Sequence, residues 1–214
     1  MEENVPNIKI CGITTPDAAI ACFDAGANMI GLVHYPPSPR HVSATRICEI
    51  LDDLGDYGRY VLVVVDQLPD EEIVSRFHLI QAYGGIQGVS VPHIQVVKDY
   101  ETFIRILESP TEDWEIRQPS SESDIPLYCL EMSQGLLPGG NGAAWDWSLA
   151  RPFCERYPTF IAGGITPENV ADVIRLANPY VIDVSSGVES SPGVKDMDKV
   201  RRLIENVHKA IINR

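Results

Sequence analysis

Residues 159–187 read TFIAGGITPENVADVIRLANPYVIDVSSG, and this stretch contains one complete strand–helix–strand unit. Residues 159–162 are a short apolar, β-prone run that stops at Gly163-Gly164. Pro167 suits the first position of a helix, where its missing N–H is not needed, and that helix runs to Ala177. Residues 180–184 form a second apolar run that stops at Ser185-Ser186-Gly187. Strands alternating with helices in this way argue for a parallel sheet.

The same rhythm extends outward from this unit. Residues 7–11 read as a first strand, followed by a helix over 16–25 that Gly26 stops. A second strand covers 29–33, and Ser43 is placed to cap a helix over 44–54. The β-branched run 59–65 is a third strand, with an acidic helix start at 70–72. In the middle of the chain, a fourth strand is expected over 85–91, a helix over 95–107 and a fifth strand over 114–117. Residues 119–124 are loop-forming and too short for a full helix. A sixth strand is expected over 127–132, a helix over 148–156 and an amphipathic closing helix over 196–212. These elements predict one (β/α)8 barrel over residues 1–214, an α/β TIM-barrel fold with helix 5 shortened or missing. An open doubly wound sheet is the rival arrangement, but no G-x-G-x-x-G follows the first strand.

A chain of 214 residues can bury a large core without disulfides or metals, and its 44% hydrophobic and 22% charged composition is that of a soluble globular protein. The net charge of −13 opposes a nucleic-acid or anionic-membrane partner. It also means that any bound phosphate must be held by local positive potential. The five cysteines are odd in number and contain no C-x-x-C, so neither a zinc site nor a disulfide framework is expected. Residues 1–7 lack the basic and apolar parts of a signal peptide, and the longest apolar run, 60–65, cannot span a bilayer. A cytoplasmic protein follows as the expectation.

Chemistry is expected at the C-terminal ends of the strands. Gly163, Gly164, Ser185, Ser186 and Gly187 let two backbone segments approach a phosphate closely and offer it N–H donors; read blandly, they are plain turns. Cys11 ends the first strand, where it is either a base or nucleophile or a buried inert thiol. Arg40 lies in a loop stiffened by Pro36, Pro37 and Pro39 and suits a carboxylate, although a surface arginine fits equally well. Glu131, near the end of the sixth strand, is a candidate general acid. Asp183, within an apolar strand, is either a substrate-binding or a structural carboxylate. His34, Trp145 and Trp147 read as structural.

Taken together, several segments resemble one family. They are Lys9-Ile10-Cys11-Gly12-Ile13-Thr14, Gly31-Leu32-Val33 with Tyr35 and Ser38-Pro39-Arg40, Ala162-Gly163-Gly164-Ile165 with Pro167-Glu168-Asn169-Val170, and Asp183-Val184-Ser185-Ser186-Gly187-Val188-Glu189 with Pro192-Gly193 and Lys195-Asp196. This set is similar to phosphoribosylanthranilate isomerase of tryptophan biosynthesis, and the loop from Gly139-Gly140-Asn141-Gly142 to Trp145-Asp146-Trp147 resembles the sixth loop of that family. The resemblance implies a cofactor-free, metal-free Amadori rearrangement of a small phosphoribosyl substrate by a monomer or homodimer. It implies Cys11 as base, Arg40 as the anthranilate clamp, and Gly163, Gly164, Ser185, Ser186 and Gly187 as the phosphate cradle.

In the middle strands the chain departs from the family pattern. Glu131 stands nearest to the family's aspartate. The family's strand-four Gln-Leu-His-Gly matches Gln87-Gly88-Val89-Ser90, without the histidine, and its strand-five Lys-Ala pair matches Arg117-Gln118. These departures leave room for an isomerase acting on another amino-sugar phosphate, or for a non-catalytic phosphosugar-binding homologue.

Overall fold

The computed structural model of the protein describes residues 5–84, 86, 91–108, 127–132 and 144–212. Eight parallel strands close into a barrel in sequence order. They are β1 (Asn7–Cys11), β2 (Met29–Val33), β3 (Arg59–Val64), β4 (Leu79–Ala82), β5 (His93–Val97), β6 (Leu127–Leu130), β7 (Thr159–Ile161) and β8 (Val181–Val184). The described helices are α1 (Pro16–Asp24), α2 (Ala44–Leu54), α3 (Glu71–Val74), α4 (Tyr100–Glu108), α5 (Arg151–Cys154), α6 (Val170–Ala177) and α7 (Met197–Ile212). A 3-10 turn over Trp147–Ala150 leads into α5, and a small antiparallel hairpin, β9 (Glu189–Ser191) and β10 (Val194–Lys195), precedes α7. None of the described helices is long and apolar enough to cross a membrane.

Strand alternation divides the core into two layers. Ile8, Ile10, Ile30, Leu32, Leu62, Val64, Ile182 and Val184 pack outward with the helices. Cys11, Met29, Val33, Val61, Val63, Cys129, Phe160 and Val181 fill the barrel interior. Because both faces are covered, β2 is buried along its whole length and reads as a continuous apolar run.

The expected caps form. The Ser43 hydroxyl accepts from the Arg46 N–H at 3.3 Å, and Gly26 follows α1 with φ of 109°. The Val170 N–H donates to the Thr166 carbonyl at 3.1 Å, so helical bonding starts around Pro167 although the regular helix begins at Val170. Asn178 closes α6 in the left-handed conformation at φ of 53°.

The middle of the chain needs correction. Strand four is Leu79–Ala82, upstream of the expected 85–91. Strand five is His93–Val97, taken from the segment expected to start a helix, and the true helix is Tyr100–Glu108. Helix 5 is therefore neither shortened nor missing, because nine residues of helix follow strand five. Among the described residues, the connection without a helix is the one between Ala82 and His93. The expected strand over 114–117, the loop over 119–124, the Gly139-Gly140-Asn141-Gly142 segment and the Arg117-Gln118 match lie outside the described residues.

Candidate active site

The C-terminal ends of the strands surround one cavity of about 740 Å3, counting its open mouth. Cys11, Arg40, Glu131, Gly163, Gly164, Asp183, Ser185, Ser186 and Gly187 all line it. Every site residue expected from the sequence is thus brought to a single place, together with Tyr83, which was not expected.

The loops after β7 and β8 fit together through their backbones. A Cβ on Gly187 would sit 1.8 Å from the Ile165 carbonyl oxygen, so only glycine permits this approach. Gly163 and Gly164 both have positive φ, 91° and 67°. The Asn169 amide fastens this turn by donating to the Gly164 carbonyl at 2.9 Å and accepting from the Thr166 N–H at 2.8 Å. The Ser185 hydroxyl oxygen is buried and has no protein partner among the described residues. An unmet buried hydroxyl costs about 1–3 kcal/mol, and a ligand oxygen in the cavity would remove that cost.

On β1, Lys9 and Cys11 share the inward face. Lys9 is fully buried and donates to both Asp183 oxygens at 2.9 Å across the β1–β8 register. Burial alone would lower the Lys9 ammonium, but Asp183 and the nearby Cys11 hold it above the ordinary lysine range. Burial pushes the Cys11 thiol up; Lys9 opposes that rise and Asp183 adds to it. Gly31 on β2 makes the necessary space, since a Cβ there would lie 2.9 Å from the Cys11 sulfur and 3.2 Å from Lys9 Cε.

Arg40 is buried and already holds a carboxylate. Its Nε donates to Glu189 Oε1 at 2.8 Å and its Nη2 to Oε2 at 2.7 Å. Glu189 also accepts from Lys195 at 2.8 Å and from the Gly193 N–H at 3.2 Å. Burial would raise the Glu189 carboxyl, but Arg40 and Lys195 hold it below the ordinary range. The side-on fork of the guanidinium is therefore occupied, which leaves its Nη1 end to meet a ligand. Lys195 also donates to the Ser185 carbonyl at 3.2 Å, tying this network to the loop after β8.

Across the mouth, the Glu131 backbone extends the β6 ladder, its N–H donating to the Val97 carbonyl at 3.0 Å. The Tyr83 hydroxyl donates to Glu131 Oε2 at 2.5 Å. The corrected strand four bears on the family match as well. Gln81-Ala82-Tyr83-Gly84, at the end of β4, also has the glutamine and glycine spacing of Gln-Leu-His-Gly, with Tyr83 at the third place; Gln87-Gly88-Val89-Ser90 lies outside the described residues. Lys98 follows β5 directly. The sequence signal for Tyr83 was present, a glutamine two residues ahead and a glycine behind, but it was masked by misplacing the strand.

His34 and the tryptophans sit as structural groups. His34 Nδ1 lies 3.0 Å from the Val42 carbonyl, Trp145 Nε1 donates to the Ala162 carbonyl at 2.9 Å, and Trp147 is buried. Among the described residues, no three His, Cys, Asp or Glu side chains converge as metal ligands.

A closed parallel barrel with a thiol, a carboxyl, an arginine and two glycine–serine loops at its C-terminal mouth defines a small-ligand-binding (β/α)8 barrel. Comparison with known proteins narrows that class. The family model described as N-(5'phosphoribosyl)anthranilate (PRA) isomerase matches residues 8–206. The N-(5'-phosphoribosyl)anthranilate isomerase of Desulfatibacillum aliphaticivorans is 39% identical over 207 residues, covering 93% of this chain and 91% of that one. The enzyme of the same name from Paramagnetospirillum magneticum is 35% identical over 206 residues, covering 92% and 95%. The crystal structure of phosphoribosyl anthranilate isomerase from Thermotoga maritima superposes with a TM-score of 0.76 at 28% identity, over 95% of this chain and 99% of that one. A phosphoribosyl anthranilate isomerase in complex with reduced 1-(o-carboxyphenylamino)-1-deoxyribulose 5-phosphate superposes with a TM-score of 0.72 at 27% identity, over 95% and 99%. The protein belongs to the N-(5'-phosphoribosyl)anthranilate isomerase family.

Proposed function

We propose that the protein isomerises N-(5-phosphoribosyl)anthranilate to 1-(2-carboxyphenylamino)-1-deoxyribulose 5-phosphate in tryptophan biosynthesis, without a cofactor. The observation that carries this reading is the meeting of Cys11, Glu131, Arg40 and the two glycine–serine loops around one cavity. Glu131 gives a proton to the ribose ring oxygen, and the C1–O bond breaks to leave a protonated imine. The imine acidifies the neighbouring carbon, and Cys11 takes its proton to form an enolamine. Tautomerisation of the enolamine to the ketone completes an isomerisation in which no atom is gained or lost.

Gly163, Gly164, Ser185, Ser186 and Gly187 hold the phosphate, and Arg40 meets the anthranilate carboxylate through its free end. Asp183 keeps one acceptor position on each oxygen beyond its bonds to Lys9, enough for a ribose hydroxyl. The same reading takes residues 1–214 as one catalytic domain working in the cytoplasm as a monomer or homodimer.

The test follows anthranilate fluorescence after purified protein is added to freshly made substrate. A catalysed loss of signal is expected. Folded protein that leaves the background rate unchanged would refute the reading. In the same assay Glu131→Gln should lose nearly all activity, about 10²–10⁴-fold for a general acid.

A further inference from the structure

The geometry points to Tyr83 as the positioning residue of the acid: its phenol fixes one oxygen of the Glu131 carboxyl, so that the other delivers the proton. This inference rests on the reading of Glu131 as the proton donor and deepens it.

Both ends of the contact are anchored on the barrel wall. The Tyr83 N–H donates to the Val64 carbonyl at 3.0 Å, extending the ladder of β4 on β3, as the Glu131 N–H does with Val97. Gly84 lets the chain turn tightly behind Tyr83, since a Cβ there would lie 2.7 Å from the Val65 carbonyl oxygen. From the end of β5 the Lys98 ammonium lies 5.5 Å from the Tyr83 ring centroid, a cation–π contact that steadies the ring. Tyr83 and Glu131 both face the cavity.

A glutamate has one more rotatable bond than an aspartate, and an untethered carboxyl would sample positions that cannot reach the ring oxygen. A donor on Oε2 restricts that freedom. The bond also changes strength during the reaction. While Glu131 carries its proton, the phenol donates to a neutral oxygen; once the proton leaves, it donates to a carboxylate, and that bond is the stronger one. An interaction that strengthens towards the transition state raises kcat rather than lowering KM. Burial and the adjacent Glu131 push the Tyr83 phenol well above its ordinary value, so it stays a donor throughout the working pH range. Arg40 from the loop after β2 and Cys129 from β6 also feel the Glu131 charge. Cys11 and Asp183 face it across the cavity.

The experiment measures kcat, KM and the pH profile for wild type, Tyr83→Phe, Glu131→Asp and the double variant, with Glu131→Gln as reference. Removing only the hydroxyl keeps the ring and its packing. Tyr83→Phe is expected to lower kcat about 10–100-fold with KM within about threefold, and to move the limb of the profile set by Glu131 to higher pH, because the departing proton leaves a less stabilised carboxylate. In the Glu131→Asp background the shorter carboxyl no longer reaches the phenol, and Tyr83→Phe should change kcat by less than about twofold. A Tyr83→Phe enzyme with unchanged kcat and profile, or one with the same loss in both backgrounds, overturns the inference. An active Glu131→Gln enzyme would instead overturn the assignment of the acid itself.

Discussion

The two sides of the mouth are built from different materials. The side proposed to hold phosphate, formed by the loops after β7 and β8, is shaped by backbone: two glycines at positive φ, a glycine that touches the opposite loop, and an asparagine that fastens the turn. The side proposed to supply the acid, formed by β4, β5 and β6, is built from side chains, with the Tyr83 hydroxyl donating to Glu131. Backbone sites tolerate little change, because each N–H and each close approach needs its own conformation. A side-chain pair can be exchanged for another that spans the same gap. Binding on one side and proton transfer on the other should therefore respond differently to mutation.

The largest effect is expected at the chemistry itself. Cys11→Ala should lower kcat about 10³–10⁴-fold while leaving phosphate-dependent binding almost intact, as checked by turnover and by calorimetry with a reduced product analogue. Next is Gly187→Ala, whose new methyl would displace the Ile165 carbonyl. A shift of about 1 Å in the cradle should cost on the order of 10²-fold in kcat/KM, and the analogue should bind more weakly. Together these two variants break the comparison from opposite sides: one removes chemistry with binding kept, the other removes binding.

A smaller effect comes from pH. A base works when deprotonated, and burial raises the Cys11 thiol above its ordinary 9.0. Cys11 must be deprotonated and Glu131 protonated at once, so kcat/KM should fall at both extremes of pH, with the limb set by the thiol lying above the ordinary thiol value. The smallest effect on rate is expected for Glu189→Gln, which releases Arg40 and should raise KM about 3–10-fold. Its larger signature is in stability. Breaking a buried pair costs about 3–5 kcal/mol, visible as a lower midpoint in denaturant. Because Glu189 is held below its ordinary 4.5 in the folded state, its contribution is present above that value and is lost as pH falls through the lower, folded one. The acid limb of the stability profile should therefore be shallower in Glu189→Gln than in wild type.

Legibility in the sequence followed the same division. β1, β2, β3, β7 and β8 are covered on both faces, so each reads as an apolar run broken sharply by glycine, serine or proline. β4 has only four residues and carries the buried polar Gln81, which hid it among helix-like patterns. β5 has His93 and Gln95 exposed on one face, so its alternation blended into the following helix. Cys11 and Glu131 could be found because they end strands that were placed correctly. Tyr83 could not, because its strand was misplaced. The Lys9–Asp183 pair and the Glu189 hub were hidden for another reason: their partners lie 174 and 149 residues away in the chain. Only the closed barrel brings them together.

The most direct test of this division is to compare binding and turnover in Glu131→Gln, using calorimetry with the reduced product analogue and the anthranilate fluorescence assay on the same preparation. The predicted result is an affinity within about threefold of wild type and turnover reduced by about 10³-fold. Turnover close to wild type, or affinity lost in step with activity, would contradict the assignment of binding and proton transfer to opposite sides of the barrel mouth.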